Sequence, residues 1–136
     1  MANLDEKTLK VWDKAIIVEK IIVEGKEIEI DTERYRQDIC NAWIEKDAYG
    51  DTEHPFGWEK DHTLPDAKGG TDHLDNLRPM HTKNNRGKGD EFPSYTAVIT
   101  SEGNKNKTIS ESKTVNDKVL ERLKQLYPNN LYLRNI

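Results

Sequence analysis

A small α+β domain is what this sequence predicts, on three observations. Two β-branched runs fold back around glycine turns, and two amphipathic stretches carry helical spacing. Between them lies a loop-rich segment that holds most of the glycines. At 136 residues the chain is one domain's worth. With 34% hydrophobic residues, 34% charged residues and a mean hydropathy of −0.93, its core must be small. No apolar run approaches the ~18 residues a membrane span needs. The opening MANLDEKTLKVW carries acidic residues and has no apolar stretch, so no secretory signal is visible; a cytoplasmic location without membrane partners is expected. Cys40 is the only cysteine, which excludes an intramolecular disulfide and any zinc site built on cysteine pairs.

The first element is a strand pair over Ala15–Ile30, where Ile and Val flank a Glu24-Gly25-Lys26 turn. A helix follows, capped by Asp31 or Thr32 and running to about Lys46. Tyr35, Ile39, Ala42 and Trp43 form its apolar stripe, with Cys40 beside it as a small buried hydrophobe and Gly50 as the stop. Residues 51–90 read as loops around short elements. Tyr95–Ser101 and Lys107–Glu111 flank a Gly-Asn-Lys-Asn turn and predict a second hairpin. A last helix over Thr114–Tyr127 shows a Thr114/Asp117 capping box and an apolar stripe of Val115, Val119, Leu123 and Leu126, and Pro128 ends it. Residues 1–136 thus form one unit: an N-terminal hairpin and helix (11–50), a chemistry-bearing core (about 57–90), and a C-terminal hairpin and helix (94–128).

The net charge of −4 argues at first against a nucleic-acid partner, since phosphate contacts need Lys and Arg. The acid excess, however, sits in residues 1–60 (net −6), while 61–90 are balanced and 91–136 carry +2. A site needs only local positive potential, so the global charge decides little.

The informative stretch is Gly57–Asp90, GWEKDHTLPDAKGGTDHLDNLRPMHTKNNRGKGD. If Trp58–His62 and Leu77–Met80 pair as strands, Asp61 and His62 lie near the short helical stretch that holds His81 and Asn85 at i, i+4 spacing. Neighbouring strand residues point to opposite faces, so Asp61 and His62 can take different tasks, one toward a metal and one toward a substrate. Trp58, Leu64, Leu77 and Met80 are the local core candidates, with Trp12 and Trp43 as further core aromatics. His54 and His73 have no partner spacing and read as solvent-exposed loop residues.

In order and spacing, Asp61-His62, Lys68-Gly69-Gly70-x-Asp72, Asp75-Asn76-Leu77-x-Pro79 and Asn84-Asn85-Arg86-x-Lys88-Gly89-Asp90 resemble the HNH endonuclease family. The likeness covers Gly57–Asp90 and extends loosely through Arg34–Gly50. The run Asn85-Arg86-Gly87-Lys88 is similar to the end of the motif in RNA-guided CRISPR nucleases, and His81 and Asn85 occupy the helix positions of the histidine pair in colicin-type DNases. The resemblance implies a ββα-metal core (about 57–90) flanked by helices and short hairpins. It implies His62 as the general base and Asn76 as the residue that pins the loop holding His62. Asp61, His81 and Asn85 would be ligands of one divalent cation. Arg86 and Lys88 would meet phosphates, with Lys83, Lys68 and Arg78 as further nucleic-acid contacts.

That set suits phosphodiester hydrolysis. A divalent cation stabilises the charge developing on the phosphate oxygens, and a histidine with an ordinary pKa near 6.5 is mostly a free base at neutral pH. The mixed O/N ligands admit Mg²⁺, Mn²⁺, Ni²⁺ or Zn²⁺, with Mg²⁺ or Mn²⁺ favoured because the set is oxygen-led. Many HNH proteins clamp this motif with cysteine pairs around a structural zinc. Here the downstream cysteine positions are His81 and Asn84, so no structural zinc is expected and hydrophobic packing must hold the motif. The expected partner is double-stranded DNA. One site makes one cut, so duplex cleavage requires successive nicks or a homodimer. The alternatives are a non-catalytic nucleic-acid-binding module of the same shape, an RNase, and a toxin nuclease; the acidic first half disfavours the last.

Overall fold

The computed structural model describes residues 4–136, as short antiparallel hairpins and helices. Helix α1 (Glu6–Trp12) comes first. Asp5 caps it by accepting from the Thr8 N–H at 2.7 Å, and it buries Thr8, Val11 and Trp12 on one face. Strands β1 (Lys20–Val23) and β2 (Lys26–Glu29) form the expected hairpin around Glu24-Gly25.

The helix expected over 31–46 does not form. The chain instead makes β3 (Tyr35–Gln37) and β4 (Trp43–Glu45), paired antiparallel, then a 3-10 turn at Lys46–Ala48. Asp38 is the physical reason. Its Oδ1 accepts from the backbone N–H of Cys40 and Ala42, each at 2.9 Å, which closes a tight turn with Asn41 at positive φ. This local side-chain bonding competes with a helix and prevails. Gln37 also bridges to Ile16. Cys40 is buried as expected, but in a turn; burial and the neighbouring Asp38 push its thiol up to about 12.

Strands β5 (Trp58–His62) and β6 (Leu77–His81) pair antiparallel from Trp58↔His81 to His62↔Leu77, and helix α2 (Thr82–Lys88) follows without a break. Strands β7 (Ser94–Glu102) and β8 (Lys105–Thr114) form the C-terminal hairpin, with a register irregularity between Ala97 and Ile99. Helix α3 (Asp117–Leu126) is capped by Asn116, whose side chain accepts from the Val119 N–H. The expected Thr114 cap is not used, because Thr114 ends β8 and its hydroxyl pairs with Ser94. A short α4 (Leu131–Arg134) closes the chain.

Trp12, Trp43, Trp58, Leu64, Leu77 and Met80 are all buried, as their sequence context predicts. Trp12 and Trp58 pack with Val11, Ala15, Ile44 and Leu77, so α1 and β4 support one side of the β5–β6 hairpin. Met80 joins Cys40, Tyr95, Ala97, Val115 and Leu120 on the side of the C-terminal hairpin and α3. Packing is not the whole of what holds the motif. Asp38 Oδ2 accepts from the His81 backbone N–H at 2.9 Å and from Asn84 Nδ2 at 3.0 Å. Asn84 is fully buried; it also donates to Ile99 O, and its Oδ1 accepts from the N–H groups of Val98 and Ile99. Those two donors lie at the irregularity in β7, where Val98 has no partner in the register, so one amide satisfies a bulge and ties α2 to two other segments. Gly87 lets α2 approach β7, since a Cβ there would sit 3.1 Å from Val98 Cγ1.

Candidate active site on the β5–β6 hairpin and α2

Alternation along β5 places Glu59 and Asp61 on the α2 side of the hairpin. Asp61 is 2% exposed, and both of its oxygens are engaged. Oδ2 accepts from Arg78 Nε at 2.8 Å, directly across the strand pair, and Oδ1 lies 3.3 Å from Lys88 Nζ. Lys88 has a completely buried side chain and donates as well to the His62 carbonyl at 3.0 Å. Burial pulls its ammonium below the ordinary lysine range, and Asp61 opposes that shift. Arg78 lies over the Tyr95 ring. Neither cation is placed to meet a phosphate, which corrects the nucleic-acid role expected for Lys88 and Arg78. They form the inner wall of the site, because a buried carboxylate needs paired charge.

His81 also departs from expectation. It is the N-cap of α2 and lies outside the helix. Its Nδ1 accepts from the Lys83 N–H at 3.1 Å, so Nε2 carries the proton and donates to Pro55 O at 2.8 Å. Burial lowers its pKa below 6.5, opposed by the bond to Pro55. With both ring nitrogens committed and the residue 2% exposed, His81 caps and anchors the helix and has no lone pair to offer a cation.

Asn85 is half-buried on the first full turn of α2, with its Nδ2 3.5 Å from Glu59 Oε1. Glu59 also faces Arg86 Nε at 3.7 Å. Glu59 was missed in the sequence, although its i, i+2 relation to Asp61 on a strand was the signal that could have found it. Among the described residues no three His, Cys, Asp or Glu side chains gather in ligating geometry. The oxygen donors sharing this side of the hairpin are Glu59, Asp61 and Asn85. They are oxygen donors of the type a hard divalent cation takes, but both oxygens of Asp61 already face Arg78 and Lys88.

His62 stands at the other end of β5. Its side chain is 34% exposed, and Nε2 lies 2.6 Å from Asp72 Oδ1. The loop between the strands is pinned by Asn76, which is fully buried. Asn76 Oδ1 accepts from Leu64 N at 2.8 Å, and Nδ2 donates to Leu64 O and to Thr71 O. Gly70 packs against the same strut; a Cβ there would lie 1.7 Å from Leu64 O. The pinning role expected of Asn76 therefore has its geometry.

The remaining cations differ in access. Arg86 and Lys83 are exposed, and Lys83 lines an open cleft of about 520 Å³ with Lys105 and Lys107. Lys68 is half-buried, donates to Asp90 O at 2.8 Å and lies over the Tyr132 ring. His73 is exposed, whereas His54 is half-buried against Phe56 and Glu45. Comparison of the chain with protein-family models, with curated proteins and with solved structures gives no match. Among the described residues no helix is long and apolar enough to cross a membrane.

Proposed function

We propose that this protein is a metal-dependent endonuclease of the HNH type that hydrolyses phosphodiester bonds in DNA. The observation that carries the reading is a β-hairpin running directly into a helix, in which a partly exposed His62 directly follows the buried Asp61, while Glu59, Asp61 and Asn85 share the α2 side. Glu59, Asp61 and Asn85 would hold one divalent cation, Mg²⁺ or Mn²⁺ by their oxygen chemistry. When bound, the cation supplies positive charge to the nonbridging and leaving oxygens of the phosphodiester. His62 takes a proton from water on its unengaged ring nitrogen, and the water oxygen attacks phosphorus as the P–O3′ bond breaks. The departing oxygen is protonated from solvent, leaving 5′-phosphate and 3′-hydroxyl ends. Lys88 and Arg78 pair with Asp61 in its buried position, and Lys88 fixes the backbone of His62. Arg86 and Lys83 are the accessible cations for flanking phosphates, in reach of duplex DNA along the Lys105–Lys107 cleft.

One observation favours a second reading. Both oxygens of Asp61 are already paired, which suits a nucleic-acid-binding module without catalysis. Incubation of supercoiled plasmid with Mg²⁺, Mn²⁺ or EDTA separates the two. Nicking that requires metal supports the nuclease; retention of plasmid in a gel shift without nicking in any metal supports the module.

A further inference from the structure

Resting on the nuclease reading of His62, we propose that Asp72 is a positioning residue for the base, holding the His62 imidazole in its Nε2–H tautomer with the Nδ1 lone pair directed away. An ionised carboxylate can only accept, so at 2.6 Å the proton lies on His62 Nε2. Nδ1 is then the basic nitrogen, and no hydrogen-bond partner is found for it among the described residues.

The two partners come from separately braced segments, so the contact is built into the fold. His62 is fixed on β5 by its pairing with Leu77 and by Lys88 at its carbonyl. Asp72 follows Thr71, which is held at three atoms. Its carbonyl accepts from Asn76 Nδ2 at 2.9 Å, its N–H donates to the Tyr127 hydroxyl at 3.0 Å, and its own hydroxyl pairs with Tyr127 at 2.7 Å. Tyr127, the residue that closes α3, thus braces the loop that aims the base. The hydrogen bond from His62 holds the Asp72 carboxyl below its usual range.

Removing a buried triad carboxylate costs about 10⁴-fold in kcat; Asp72 is 80% exposed, so water partly replaces it and a drop of about 10–100-fold is expected. Asp72→Ala should lower kcat for plasmid nicking by that factor with KM for DNA unchanged, and Asp72→Glu should recover most of the rate. A readout independent of cleavage is the ¹⁵N-edited imidazole spectrum of the metal-free protein at pH 8. The His62 signal, identified by its loss in His62→Ala, should show a downfield proton on Nε2 that Asp72→Ala abolishes. A proton on Nδ1, or a spectrum unchanged in Asp72→Ala, would overturn the proposal. An inactive wild type would overturn the nuclease reading instead, and the spectrum would still decide the pairing.

Discussion

The β5–β6 hairpin carries a histidine at each end of its paired stretch, and the fold uses them in opposite ways. His81, across from Trp58, is 2% exposed and has both ring nitrogens on backbone partners. His62, across from Leu77, is a third exposed and has one nitrogen on a carboxylate, with no partner for the other among the described residues. The same ring serves as a structural cap when both nitrogens are engaged and is available for chemistry when one is fixed and the other free. The adjacent asparagines of α2 repeat the lesson. Asn84 is fully buried with both amide atoms satisfied, while half-buried Asn85 makes one long contact with Glu59.

The comparison is sharpened first at the asparagines, where the largest change in stability is expected. Asn84→Ala leaves Asp38 and the Val98 and Ile99 backbone short of partners, and should cost about 3–5 kcal/mol in urea unfolding. Asn85→Ala should stay within about 0.5 kcal/mol of wild type, as a substitution outside the buried network, yet weaken Mn²⁺ binding measured by calorimetry. Asn76→Ala, which strands Leu64 and Thr71, should cost about 2–3 kcal/mol and reduce cleavage, because the same loop carries Asp72.

A smaller effect follows from His81. Its folded pKa is depressed below the ordinary 6.5, so the unfolded chain takes up the proton first as the solution is acidified. Its contribution is therefore complete above about pH 6.5 and lost as pH falls toward the folded value. A melting-temperature series from pH 8 to 5 should show this slope, and His81→Gln should remove it. The smallest effect is expected at Asp75, whose carboxyl is held low by Arg122 on the surface. Arg122→Ala should cost at most about 1 kcal/mol, as exposed pairs do, and that difference should shrink in high salt.

Both glycine-turn hairpins were legible in the sequence because turn residues and β-branched flanks act locally. The β5–β6 pair and the helix after it were legible from the motif spacing. The 31–46 region was misread because Tyr35, Ile39, Ala42 and Trp43 match helical spacing, whereas the Asp38 side chain and the pairing of Gln37 with Ile16 set the local structure. Ile39, placed in the expected stripe, is 40% exposed. Helix α1 did carry a signal, in the Asp5 cap and the Thr8, Val11, Trp12 spacing. The commitment of His81 to Pro55, of Lys88 to Asp61 and of Asp72 to His62 was not legible, since each depends on segments brought together only by the fold.

The most direct measurement is cleavage of supercoiled plasmid in Mn²⁺ by His62→Ala and His81→Ala side by side, below the melting temperature of both. His62→Ala should lose about 10²–10⁴ in rate, the worth of a general base, with its fold intact by circular dichroism. His81→Ala should cleave within a few-fold of wild type and melt at a lower temperature. Comparable loss in both variants, or cleavage by His62→Ala at the wild-type rate, would contradict the role of His62 as the base.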